Sequence, residues 1–317
     1  MPRRLTVIDG AIAFIYPLAC PSMIDDTTEA ILYALAAGII WGVVPTLVKK
    51  GLVGSSVSMA TMMIQYWSLA TLLAATAWRG EFMVLDWPPL LSFMLTGVAA
   101  CLGKVFLNLG IDSVGASKSV TVKNSSPLIT VLLGWALLGE HVGWEIGAGV
   151  VVIVVGVLLL SVSPLEGEET ANRLVYFMYP LLSSLAFGIN PIFKKWGLVA
   201  AAVPALGTLV NHITATVFLF TAGPSLGIHP YRRERVPLAS AVLFAIAGIT
   251  EAIASLCTYK ALLLAPAVLV APIWRLSPLI TFVLSHFTLR ALETVTLRDG
   301  LAAVLIVGGV WILSHGG

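Results

Sequence analysis

Ten apolar runs, each near the ~20 residues that cross a bilayer as a helix, take up most of this 317-residue chain. They cover 30–48, 57–78, 89–111, 114–138, 143–163, 174–193, 200–223, 237–264, 266–289 and 297–314. Lipid offers no partner to a backbone amide, so runs of this length are predicted to be helices. Only 11% of residues are charged against 58% hydrophobic, and mean hydropathy is +0.97. A water-soluble domain, with about a quarter of its residues charged, is excluded. A net charge of +2 spread thinly along the chain also excludes a nucleic-acid surface. The lipid bilayer is the first partner the sequence implies.

Residues 1–29 read as a tail. Arg3 and Arg4 precede a weak apolar stretch that Asp9 interrupts, with no clean cleavage site after it. That pattern is not a signal peptide, and it leaves either a tail or sequence upstream of a start at Met23. Cys20, Cys101 and Cys257 have no metal-like spacing, so no metal site and no cofactor is read from them.

Self-similarity is the next constraint. Tyr33, Gly42, Pro45, Lys49 and Gly51 recur 146 positions later as Tyr179, Gly188, Pro191, Lys195 and Gly197. The string Ser126-Pro127-Leu128-Ile129-Thr130 returns 151 positions on as Ser277-Pro278-Leu279-Ile280-Thr281. Glu140, Gly147, Gly156 and Ser161 match Glu293, Gly300, Gly309 and Ser314 at an offset of 153. The chain divides into a first five-helix unit at 30–163, a polar linker at 164–173 and a second unit at 174–315. Five spans is an odd number, so the second unit enters the membrane from the opposite side. The fold class is an all-α membrane protein of ten transmembrane helices in two inverted repeats. Inverted repeats recur in secondary transporters, which bind small molecules near the midplane and rock between two access states. A channel or a non-transport interaction protein is the alternative from another class. No His-Glu-x-x-His or Gly-x-Ser-x-Gly string points to an enzyme.

A fourth span with a Ser-Pro pair, followed by Leu138-Gly139-Glu140 and a glycine-rich fifth span (Gly147, Gly149, Gly156), resembles the EamA-type branch of the drug/metabolite transporter superfamily. In the second copy Leu292-Glu293 replaces Gly139-Glu140. The resemblance implies a multi-pass cell-membrane protein with both termini cytoplasmic. It also implies a central cavity lined by the third, fourth, eighth and ninth spans, with contributions from the first and sixth. The Lys/Arg count opposes that orientation. Lys49, Lys50, Arg173, Arg232, Arg233, Arg235, Arg290 and Arg298 share one face, and Arg3, Arg4, Arg79, Lys194 and Lys195 share the face of the N-terminus.

Ionisable residues inside spans face a cavity or a partner, because lipid exposure costs several kcal/mol. In the fourth run Ser119, Lys123, Ser126 and Thr130 lie at helical spacing, with Asn124 beside them. Pro127 and Pro278 are read as kinks, as are their counterparts Pro45 and Pro191 in the first and sixth runs, the latter next to Asn190. Arg275 aligns with Asn124 and Trp274 with Lys123 across the repeat. Lys123 and Arg275 therefore reach the pseudo-two-fold axis from opposite halves, a pattern suited to an anion. Cys101, Lys104 and Asn108 share a face of the third run, and Glu251, Ser255 and Tyr259 the equivalent face of the eighth. Lys104 and Glu251 either form an ion pair bridging the repeats, or Glu251 is a proton-coupling carboxylate. Gln65 and Asn211 match across the second and seventh runs, and His212 stands alone.

The substrate-binding residues read here are Lys123, Arg275, Asn124, Trp274, Lys104, Asn108, Tyr259, Ser126 and Asn190. Lys123 and Arg275 are placed much like the phosphate-contacting bases of plastid triose-phosphate translocators, which that resemblance extends to; Trp274 stands where those tend to carry a second base. The expected cargo is anionic: a phosphorylated compound, an organic acid or an amino acid, with a proton or counter-substrate as partner. Export of neutral or amphiphilic metabolites is the alternative. The glycine-rich fifth and tenth spans are scaffold or a homodimer seam in an otherwise monomeric protein.

Overall fold

Each apolar run closes its own backbone hydrogen bonds, and every regular element among the described residues is a helix. The structure is a computed structural model that describes residues 25–51, 55, 57–114, 122–123, 125–161, 173–224, 235–277, 279–280, 283–284 and, within 301–312, all but 303, 307 and 310. The helices are α1 (Asp26–Gly51), α2 (Val57–Arg79), α3 (Trp87–Val114), α4 (Ser126–Leu138), α5 (Trp144–Ser161), α6 (Arg173–Ala200), α7 (Pro204–Ala222), α8 (Leu238–Leu264) and α9 (Ala267–Trp274). The described residues of 301–312 are helical as well. Among the described residues, four of these helices, α1, α3, α7 and α8, contain stretches long and apolar enough to cross a bilayer unaided. The protein is an all-α membrane protein whose two five-helix units interlock.

The interlocking follows the repeat. α3 packs on α6 and α7 of the second unit, while α8 packs on α1 and α2 of the first; α4 lies against α6, and α9 against α1. Glycines explain how closely. A Cβ on Gly188 of α6 would fall 2.6 Å from Ile129 Cβ and 3.1 Å from the Ser126 carbonyl oxygen. A Cβ on its counterpart Gly42 in α1 would fall 2.5 Å from Ile280 Cβ and 2.9 Å from the Ser277 carbonyl oxygen. Both seams exclude any side chain at these positions, and both involve the duplicated Ser-Pro-Leu-Ile string. In the glycine-rich spans, Gly156 packs on Ile306 and Gly309 on Ile153, whereas Gly147 and Gly308 face open space.

One end of the bundle is tied by carboxylates. Gly139, left-handed at φ 65°, ends α4 and delivers Glu140 to the start of α9. There its two oxygens accept the N–H groups of Ala267 at 2.8 Å and Val268 at 2.9 Å. Glu81 accepts the N–H groups of Ala205 at 2.7 Å and Leu206 at 3.1 Å at the start of α7. Helix N-termini carry unpaired N–H donors and a partial positive charge, so an anion there stabilises by roughly 0.3–1 kcal/mol. Lys195 does the converse at the end of α8, donating to the carbonyls of Leu262 at 2.7 Å and Ala265 at 3.0 Å. The two carboxylate contacts cross from the first unit to the second and the lysine contact joins two helices of the second, which fixes the packing as well as the caps. The Gly139-Glu140 pair of the family pattern thus has a physical role: a left-handed turn and a cap on the helix it meets.

Two sequence expectations change here. Pro127 does not kink a continuous helix: Ser125 is a turn residue, and α4 begins at Ser126 with Pro127 in its first turn, where a missing N–H costs nothing. The ninth span likewise stops, with α9 ending at Trp274, a turn at Arg275 and Leu276, and helix again at Ser277. Second, the sixth run does not end at Phe193, because α6 continues to Ala200 through Pro191. Lys194 and Lys195 accordingly leave the set of loop charges. Residues 1–24, the linker at 164–172, Lys118, Ser119, Asn124, Pro278 and Glu293 lie outside the described residues, as do the side chains of Pro45, Lys49 and Asn108.

Candidate substrate site

The breaks in the fourth and ninth spans put two cations on one ring. Lys123, just before the start of α4, lies with Nζ 5.6 Å from the centroid of Phe187. Arg275, at the C-cap of α9, lies with Cζ 5.6 Å from the same centroid and donates from Nη2 to the Phe187 carbonyl oxygen at 3.3 Å. Phe187 sits one residue before Gly188, so the close α4–α6 seam holds the ring in place. Neither cation has a carboxylate partner among the described residues. The π face is a weak substitute, worth ~0.5–2 kcal/mol. Burying a cation costs more than that unless it is paired.

Lys104 and Glu251 behave differently. They meet at 3.3 Å between α3 and α8, joining the two units. The Lys104 side chain is 61% exposed and that of Glu251 18%. Beyond Glu251 the polar chain continues one turn along α8. Ser255 Oγ lies 3.3 Å from His212 Nε2, and His212 Nδ1 lies 3.4 Å from Ser68 Oγ. His212 is 7% exposed and joins α2, α7 and α8; it is not isolated. Gln65 supports the same corner by donating to the His212 carbonyl oxygen at 3.1 Å and to Thr216 Oγ1 at 2.7 Å.

Several other candidates turn out to sit in helix seams. Ser126 is fully buried, and its carbonyl oxygen lies against Gly188. Thr130 donates to the Gly188 carbonyl oxygen at 2.8 Å. Asn190 donates from Nδ2 to the Thr96 carbonyl oxygen at 2.9 Å, tying α6 to α3. Trp274 belongs to the apolar core, at 3% exposure. Tyr259 is fully buried and stacks obliquely on Phe93 at 6.0 Å, so α3 and α8 also touch near the carboxylate-tied end.

Lys194 is the residue that sequence reasoning missed. It was assigned to a loop, yet it is 6% exposed inside α6, with Nζ 4.9 Å from the Tyr259 ring centroid. Its position one turn after Asn190, in a helix that does not stop at Phe193, was the available signal. Lys123 and Arg275 share the Phe187 ring, and Lys194 follows Phe187 two turns further along α6. A separate cavity of about 350 Å³ between residues 83–89 and 200–203 is lined by none of these groups.

Comparison with known proteins agrees with this architecture. A crystal structure covering 89% of this chain and 95% of its own superposes with a TM-score of 0.71 at 17% identity, a likeness of fold alone. An uncharacterized transporter of Bacillus subtilis (strain 168), YwfM, is 27% identical over 144 residues. That alignment spans 45% of this chain and 48% of the Bacillus protein, about half of each. The EamA-like transporter family matches twice, over residues 28–162 and 174–315, and together with the duplicated seams of the structure this identifies the chain as a member of that family.

Proposed function

We propose that this membrane transporter is a secondary carrier of a small anionic metabolite. The observation that carries the reading is the meeting of Lys123 and Arg275, one from each repeat, on Phe187 without a carboxylate among the described residues. Lys123 and Arg275 are half-buried; cations partly withdrawn from water without counter-charge are costly, and an anionic ligand at the seam between repeats offsets that cost at the moment it binds. A site shared by both units is also the place where rocking one unit against the other changes access. The loops tied by Glu81 and Glu140, with Phe93 on Tyr259 beneath them, support a state closed toward that end. The resemblance assigns this end to the cytoplasm.

Proton coupling at Glu251 is the accompanying reading. It rests on Ser255, one helical turn beyond Glu251 on α8, and on its contact with His212 of α7, which in turn meets Ser68. Reconstitution tests both. Liposomes containing the protein should exchange labelled inorganic phosphate or succinate with saturation, and Lys123→Met and Arg275→Met should each abolish that exchange. Unsaturable flux, or exchange unaltered in both variants, overturns the carrier of anions. Uptake that ignores an imposed pH gradient in the wild type overturns the coupling.

A further inference from the structure

We infer that Lys194 is a second anion-binding point, which takes the far acidic group of a substrate carrying two, while Lys123 and Arg275 hold the near one. The inference deepens the anion reading above and rests on it. Lys194 is 94% buried by its 6% exposure, and among the described residues it makes no ion pair and no hydrogen bond; its one contact of note is the Tyr259 ring at 4.9 Å. Tyr259 Oη beside it is buried as well, with the side chains of Asn211 and Thr96 as its polar neighbours. A buried ammonium left without an anionic or hydrogen-bonding partner calls for one from outside the fold. The neighbouring lysine shows the contrast, since Lys195 finds two carbonyls at the end of α8.

Depth orders the three cations. From the carboxylate-tied end, Lys194 lies about 9 Å along α6, and Arg275 about 12 Å from the start of α9 at 1.5 Å per residue. Lys123 precedes α4, whose Ser126–Leu138 span reaches roughly 18 Å from that same end, so in depth Arg275 stands between the other two. Three positive charges with no carboxylate among the described residues are poorly matched by one monoanion. A dicarboxylate or a phosphorylated acid places its second charge where Lys194 waits, and its hydroxyl or carboxyl oxygens within reach of the Tyr259 hydroxyl. Asn190, one turn earlier, is spent on the Thr96 carbonyl, leaving Lys194 as the charged group of that face.

The test compares probes with one and two acidic groups. Titration calorimetry on the purified full chain would use succinate and phosphoglycolate against propionate and inorganic phosphate. The wild type should bind the two-acid probes at least about 10-fold tighter than their one-acid counterparts. Lys194→Met should erase that preference, weakening the two-acid probes about 10-fold while leaving the one-acid probes within about twofold; Lys194→Arg should keep it. Should the methionine variant not fold, Lys194→Gln is read in its place, and a missing preference in the wild type is already decisive. Equal weakening of both classes, or none, overturns the inference and makes Lys194 a packing residue on Tyr259. Failure of the wild type to bind any of the four probes overturns the anion reading itself.

Discussion

Two groups of cations sit between the repeats of this transporter, and they have been treated in opposite ways. Lys104 has a carboxylate at 3.3 Å from the facing helix, whereas Lys123 and Arg275 have an aromatic ring at 5.6 Å each and one backbone carbonyl between them. A paired charge is a finished interaction; removing either partner strands the other. An unpaired one is a cost the fold carries without return, unless something outside the fold completes it. On the proposed reading, the difference separates a contact that holds the units together from one that a substrate completes.

The largest expected effect breaks the second group. Arg275→Met or Lys123→Met should reduce binding of succinate or inorganic phosphate by about 100-fold, on the order of 3 kcal/mol. The same changes should leave the melting temperature unchanged or raise it, since an isostere without charge removes a desolvation cost. Binding and thermal melting measured on one preparation decide the matter. A fall in melting temperature comparable to the loss of affinity would place these residues in the scaffold.

The paired group should respond in the reverse sense. Lys104→Met and Glu251→Gln should each lower stability by about 1–2 kcal/mol, at the modest end because the lysine side chain is 61% exposed. The double variant should recover most of that loss. A double-mutant cycle on unfolding free energies reads the coupling directly, and additive losses would dissolve the pair. If Glu251 also carries a proton, Glu251→Gln should retain exchange yet lose uptake driven by a pH gradient.

His212 gives a smaller effect, and it tells the two roles of Glu251 apart. His212→Gln keeps a polar side chain between Ser68 and Ser255, so stability should fall by no more than about 1 kcal/mol. Gradient-driven uptake should drop several-fold if the imidazole relays protons to Glu251. Uptake at the wild-type rate would confine His212 to bridging α2, α7 and α8.

Much of the fold was legible because duplication writes it twice. Gly42 and Gly188, found as a sequence match, occupy equivalent seams against Ile280 and Ile129, so positions that match in the sequence are matched in their packing too. The juxtaposition of Lys123 and Arg275 was legible for the same reason. Helix termini were harder. Run lengths count apolar residues, and Lys194 was lost because a charge after Phe193 looks like the end of a span, although α6 buries it for one more turn. The Ser-Pro pairs announced a disturbance, but a proline inside a helix and a proline opening one have the same sequence. Three-dimensional partners could not be read at all: nothing in Glu140 names Ala267, and nothing in His212 names Ser255.

The smallest effect concerns the ring that stands in for a counter-charge. Phe187→Leu removes the π face from Lys123 and Arg275 but keeps the carbonyl that accepts from Arg275, so the guanidinium retains its anchor. The loss should be about 1 kcal/mol of stability, with affinity for succinate altered by less than about fivefold. Phe187 has a second occupation, however, because its ring also lies against Gly103 of α3, where an added Cβ would come within 3.0 Å of it. Packing alone produces a similar loss. The background separates the two. In a Lys123→Met, Arg275→Met double variant no cation lies over the ring, so Phe187→Leu should then cost only the packing share. A loss as large there as in the wild type would mean that the ring props α3 against α6 and that the two cations, in the absence of substrate, are held by nothing better than a single carbonyl.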